Sequence, residues 1–213
     1  MNPLALALGL GGFALGLAAD RLATRWPEHD EEHPAGRAID WRTAVCALVG
    51  AVGFGLLPIR FAGDPLALVV FGSWFVAMTV GLATDLDQRL LPNIVTLPVI
   101  PVALVYALSG LDPLVGHSLL LAILAAVFIP AVLYLPSIPF GAGAFGLGDV
   151  KFLAGMGLML GGDRALAATI VGLLLGGVVL LALLTTRRIG RRSYVPFGPF
   201  LILGAMWAVL IRV

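Results

Sequence analysis

PLALVVFGSWFVAMTVGLATDLD, Pro65 to Asp87, runs for about twenty mostly apolar residues before its first charge, then places two aspartates two positions apart. A helix rises about 1.5 Å per residue, so twenty residues reach across a hydrocarbon core of about 30 Å. The run is continuous, which excludes the alternating segments of about ten residues that build a membrane barrel. Backbone amides in lipid must bond within their own segment unless a barrel closes, so the stretch reads as one transmembrane helix ending in acid.

The rest of the chain repeats that pattern. Of the 213 residues, 60% are hydrophobic and only 12% charged, a composition outside the range of soluble domains. The sequence predicts an all-α, polytopic membrane helix bundle of about eight spans, at 2–19, 43–59, 65–84, 93–110, 114–135, 150–161, 165–186 and 195–211. The first run lacks a basic leader and a clear cleavage site, so it reads as a retained helix rather than a signal peptide. With the amino terminus outside, Arg21, Arg25, Arg37, Arg42, Arg89, Lys151, Arg187, Arg188, Arg191 and Arg192 fall on the cytoplasmic side, ten of the 13 basic residues. Arg60, Arg164 and Arg212 remain outside, and this asymmetry supports both the orientation and the even number of spans. The 27 glycines suit close helix approach in lipid. A net charge of +1 argues against nucleic acid as a partner, and the lone Cys46 excludes an internal disulfide.

Among twelve carboxylates, Asp64, Asp112 and Asp163 read as turn or cap residues, and Glu28, Asp30, Glu31 and Glu32 as a solvated run in the 20–40 loop. Asp85, Asp87 and Asp149 stand at inner helix ends. Acid at a helix C-terminus opposes the helix dipole by about 0.3–1 kcal/mol, so capping explains Asp85 and Asp87 poorly. Asp149 reads as an N-cap, and Gly146 and Gly148 beside it suggest positive φ or close backbone approach to a bound group. Asp85 and Asp149 fall at the same membrane face. A pair of carboxylates sharing a proton there could activate water against a peptide carbonyl.

These residues resemble a known family. DLDQRLLPN, with Pro92 seven positions after Asp85, is similar to the first catalytic motif of the type IV prepilin peptidases. GLGDVK, Gly146 to Lys151, resembles their second, the GxGD signature of intramembrane aspartyl proteases, and VPFGPFLILGA, Val195 to Ala205, resembles the opening of their last helix. The resemblance implies the GxGD aspartyl protease architecture, with a membrane-embedded peptidase domain at 43–213 after a first helix and short loop at 1–42. It implies Asp85 and Asp149 as the catalytic pair, with Asp87, Pro92, Gly146, Gly148 and Lys151 in support and no metal. The implied reaction removes the basic leader of prepilin or pseudopilin precursors at the cytoplasmic face of the bacterial inner membrane. Proteolysis then needs no cofactor. Where members also methylate the new amino terminus they use S-adenosylmethionine, with an amino-terminal motif to which GGFALGLAADRLATRWP conforms only in part, lacking its asparagine. The cysteine pairs of a zinc-binding insert carried by many members are missing here.

Two rivals carry less. His29-Asp30-Glu31-Glu32-His33 fits the HxxEH zinc-protease pattern, but Pro27 and Pro34 leave barely one helical turn for it. A small proton- or cation-coupled transporter using Asp85 and Asp149 is the alternative from another class, although transport sites lie near the bilayer midplane and these acids are interfacial.

Overall fold

A computed structural model of the chain describes residues 2–29, 35–116, 118–140, 145–188 and 195–211. All regular structure among the described residues is helical. The chain divides into two compact units, Met1–Val95 with Leu210–Val213, and Thr96–Val209.

The first unit packs three membrane-length helices, α1 (Pro3–Ala23), α2 (Trp41–Arg60) and α3 (Pro65–Gln88). The α1 and α2 helices run antiparallel along a seam of small residues. Gly12 lies against Gly50, and Gly16 against Cys46 and Ala47, so closely that a Cβ on either glycine would overlap the facing carbonyl oxygen. Two carboxylates start helices as expected: Asp40 accepts from the Arg42 amide at 2.8 Å, and Asp64 from the Ala67 amide at 2.9 Å. Rings fill the α2–α3 side, with Phe61 stacked on Phe71 at 4.7 Å and Phe54 edge-on to Phe75 at 6.0 Å.

The division between the units falls within α4 (Asn93–Thr96), and the second unit holds α5 (Val99–Leu108), α6 (Leu119–Tyr134), α7 (Leu147–Thr185) and nearly all of α8 (Gly198–Leu210). All eight predicted spans fall on helical segments, but several boundaries differ. The fourth span breaks at Pro98, which lacks an N–H and begins α5 instead, leaving a helix too short to cross a membrane alone. The fifth starts late, because Asp112 accepts the Leu114 and Val115 amides and holds a turn; past Tyr134 it continues as a 3₁₀ segment to Phe140. The sixth and seventh spans form one element, α7, broken at Gly161, whose φ of 74° and ψ of −178° no L-residue adopts easily. The eighth starts at Gly198.

Small residues seat α7 as they do α1. Gly157 abuts the Ala126 backbone of α6, Gly172 abuts Phe200 and Leu201 of α8, and Gly204 abuts Ala168. Large apolar side chains such as Val69, Val105, Leu174 and Leu181 point outward. Lipid is the solvent that suits them, and the chain is a membrane protein.

The seam makes a graded prediction. Gly16→Ala should lower the melting temperature in detergent micelles, consistent with an overpacking cost of about 1–3 kcal/mol. Gly11→Ala, where a Cβ meets nothing within 4 Å, should be neutral or stabilising by up to about 1 kcal/mol from helix propensity. Thermal unfolding of the two variants side by side checks the order.

Candidate active site

The polar end of the first unit is built from helix ends that the glycine seam brings together. Gly12, Gly16 and Asp20 follow at intervals of four on α1, so Asp20 continues the packing stripe and is fully buried. Its carboxylate accepts from Thr43 Oγ1 at 2.7 Å, from Arg21 Nε at 3.0 Å and Nη2, and from Arg37 Nη2 at 2.5 Å. Arg37 also donates through Nη1 to Asp40 at 2.5 Å and through Nε to Asp87 at 2.6 Å. Arg42 Nη1 reaches the same Asp87 oxygen at 3.0 Å. Asp20, Asp40 and Asp87 thus meet Arg21, Arg37 and Arg42, three charges against three. Burial alone would lower the pKa of the Arg37 guanidinium; hydrogen bonds to Asp87 and Asp20 outweigh it and hold that pKa above the ordinary arginine value.

The sequence reading treats Asp20 as the start of a solvated loop, and the structure corrects this. The available signal was its place four residues after Gly16. Arg37, Thr43, His29 and Gln88 were also missed. His29 Nε2 lies 3.6 Å from Asp87, and Gln88 Nε2 lies 3.1 Å from His29 and donates to the Ala23 carbonyl at 2.7 Å. The remaining residues of the HxxEH pattern, 30–33, lie outside the described residues, as do His117, Arg192 and Tyr194.

The third helix runs on past its predicted end, so Asp85 and Asp87 both sit inside its last turn and both are buried. Arg89 closes the helix in the left-handed region at φ 56°, its amide donating to the Asp85 carbonyl at 3.0 Å. Leu91 and Pro92 are buried directly after it.

In the second unit the chain enters α7 through Gly146, the true N-cap, with Asp149 at the third helical position. Asp149 Oδ2 accepts the Gly146 amide at 3.2 Å, the backward half of a capping box. The N-cap reading of Asp149 is therefore off by one turn. Gly146 has φ −79° and Gly148 is helical, so neither needs the positive φ expected of it. Lys151, half-buried, lies on a different helix face from Asp149. The third motif comes to the second: Phe197 packs on Phe145 at 6.3 Å and on Phe200 at 6.2 Å, against Gly176 of α7.

A model of the type IV leader peptidase family matches residues 70–181, a span that includes both Asp85 and Asp149. The chain is similar to proteins named prepilin leader peptidase/N-methyltransferase. That of Burkholderia pseudomallei is 29% identical over 155 residues, 73% of this chain and 50% of the relative. That of Dickeya chrysanthemi is 29% identical over 182 residues, 84% and 63%. That of Bacillus subtilis is 31% identical over 186 residues, 82% and 68%. The chain therefore spans about half to two thirds of the length of these relatives. No solved structure matches it significantly. None of these matches supports the transport alternative.

The ion cluster carries its own test. Asp87→Asn removes one charge from a balanced, largely buried set, so the folded protein should lose about 1–3 kcal/mol, below the full cost of breaking a sealed pair because Arg37 and Arg42 keep some solvent contact. A melting curve in detergent reads this directly.

Proposed function

The chain belongs to the type IV leader peptidase family, and on that basis we propose that it is a membrane aspartic endopeptidase whose catalytic pair is Asp85 and Asp149. The observation that carries the choice of residues is the commitment of Asp87. Arg37 and Arg42 close on Asp87 within hydrogen-bonding distance, so its charge is used to hold the fold. The likeness of DLDQRLLPN to the family's first motif, in which the proline lies seven positions after the aspartate, supports the same choice.

In this reading one carboxylate, ionised, takes a proton from water as the water oxygen attacks the scissile carbonyl. The other, protonated, donates to the carbonyl oxygen. The tetrahedral intermediate collapses as the first acid passes its proton to the departing amine, the C–N bond breaks, and the second takes a proton back from a hydroxyl of the intermediate, which restores both acids without a covalent enzyme intermediate. Two carboxyls brought together on a substrate favour this unequal protonation, since like charges resist ionising together.

A pair at the ends of apolar helices suits a substrate cut where a polar leader meets an apolar helix. We therefore assign prepilin or pseudopilin precursors as substrates, cleaved at the cytoplasmic face of the bacterial inner membrane. The amino terminus lies outside, as the ten-to-three distribution of basic residues indicates. In the second unit, the packing of Phe145 on Phe197 supports a role for the VPFGP segment in holding the entry to α7.

Methyl transfer, the second activity in the relatives' names, would draw on S-adenosylmethionine. Of the residues that the amino-terminal likeness would bring to it, Arg21 is held by Asp20 and Thr43, while Gly11 has open space beside it and Phe13 is exposed on α1.

Co-expression with a pilin precursor, followed by mass spectrometry of the mature amino terminus, tests cleavage and methylation together. Asp85→Asn and Asp149→Asn should remain folded and lose about 10²–10⁴-fold in cleavage. Asp87→Asn keeps an amide oxygen that accepts from Arg37, and should lose about tenfold at most per folded molecule. Equal loss at Asp85 and Asp87 overturns the assignment.

A further inference from the structure

We propose that Arg37 is a positioning residue that fixes the rotation of the last turn of α3 and so the direction in which Asp85 is presented. This rests on the reading of Asp85 as a catalytic acid.

Arg37 comes from the connection between α1 and α2, fifty residues away from Asp87 in sequence. Each of its three guanidinium nitrogens meets a different acid from a different part of the unit. Nη2 holds Asp20 of α1 at 2.5 Å, Nη1 holds Asp40 at the start of α2 at 2.5 Å, and Nε holds Asp87 of α3 at 2.6 Å. A planar fork with fixed angles between its donors sets these three positions relative to one another, which a point charge on a flexible stem does not. Gln88 adds a second tie in the same turn, to the Ala23 carbonyl and His29.

Successive residues on a helix are rotated by about 100°, so Asp85 and Asp87 face about 200° apart around the α3 axis. Pulling Asp87 toward the connection therefore turns Asp85 to the opposite side of the helix. Arg89 stops the hydrogen-bonded ladder one residue past Gln88, and the chain leaves through Leu91 and Pro92. The fork, together with Arg42 and Gln88, ties this last turn to groups outside its own helix. Small errors in the direction of a reacting group reduce turnover while leaving substrate binding nearly intact.

The test uses the full chain in detergent micelles and a precursor peptide spanning the leader and the start of its apolar helix. Arg37→Lys keeps the charge and loses the fork. It should lower kcat by about tenfold or more with KM within about twofold, and should speed amide hydrogen exchange across Thr84–Arg89. The paired variant Arg37→Met/Asp87→Asn removes opposite charges together; it should melt closer to the parent than Arg37→Met alone and still show the kcat defect. Arg37→Lys with kcat within about twofold of the parent, or a loss that only follows the folded fraction, overturns the positioning role. Persistent cleavage by Asp85→Asn instead overturns the catalytic reading, and faster exchange without a change in kcat overturns the positioning role alone.

Discussion

Hydrocarbon gives helices no hydrophobic reason to associate, because lipid tails are as apolar as the side chains they would leave. What remains is contact itself, and here contact is made backbone to backbone. Gly12 and Gly16 let α1 settle onto Gly50 and Cys46, while Gly157, Gly172 and Gly204 do the same between α7 and its neighbours. Aromatic packing fills the places where no glycine opens the surface, as with Phe61 on Phe71. Such seams fix helix register along with separation, since a shift of one residue would drive a side chain into a facing carbonyl.

Register then decides what happens where the helices leave the membrane. With Gly12 and Gly16 seated, Asp20 falls at the next turn of the same stripe, opposite Thr43 of α2. An unpaired carboxylate sealed there would cost several kcal/mol. The connection between α1 and α2 returns Arg37 to it, and Arg42 and Asp87 extend the cluster to α3. The short polar loop is thus held by its own charges, and the end of α3 is held with it.

Much of this was legible in the sequence, and the exceptions have physical causes. Apolar runs located the helical segments, though not their number, since hydropathy reports directly on which stretches can lie in lipid. The capping roles of Asp64 and Asp112 followed from local turn chemistry, which needs only a few neighbours. The spacing of DLDQRLLPN and GLGDVK pointed to the family. Three features resisted. Asp20 looked like the first residue of a loop because its burial depends on α2, a partner that sequence periodicity in α1 implies only through the glycines before it. The break at Gly161 replaced an expected turn through Gly161-Gly162-Asp163-Arg164, because one glycine with positive φ suffices to redirect a helix whose neighbours stay helical. Asp149 lies one turn inside its helix, since Gly146 supplies the cap position without offering a side chain to show it.

The spacing of Asp85 and Asp87 gains its meaning from helix geometry. Acids three or four apart would share a face, compete for the same arginines and repel each other. Acids two apart cannot share a face. One can be drawn into the cation cluster while the other is carried to the far side of the same turn. An acid whose oxygens are taken up by guanidinium groups is not open to a second partner, so anchoring the helix end and presenting a reactive carboxyl from the same turn fall to two residues. In the proposed reading the ties to Asp87 orient the helix turn that carries Asp85 rather than compete with it. The same logic explains why the arginine comes from a distant connection: a cation from α3 itself would follow any rotation of the helix, whereas one tied to α1 and α2 supplies an external reference against which that rotation is fixed.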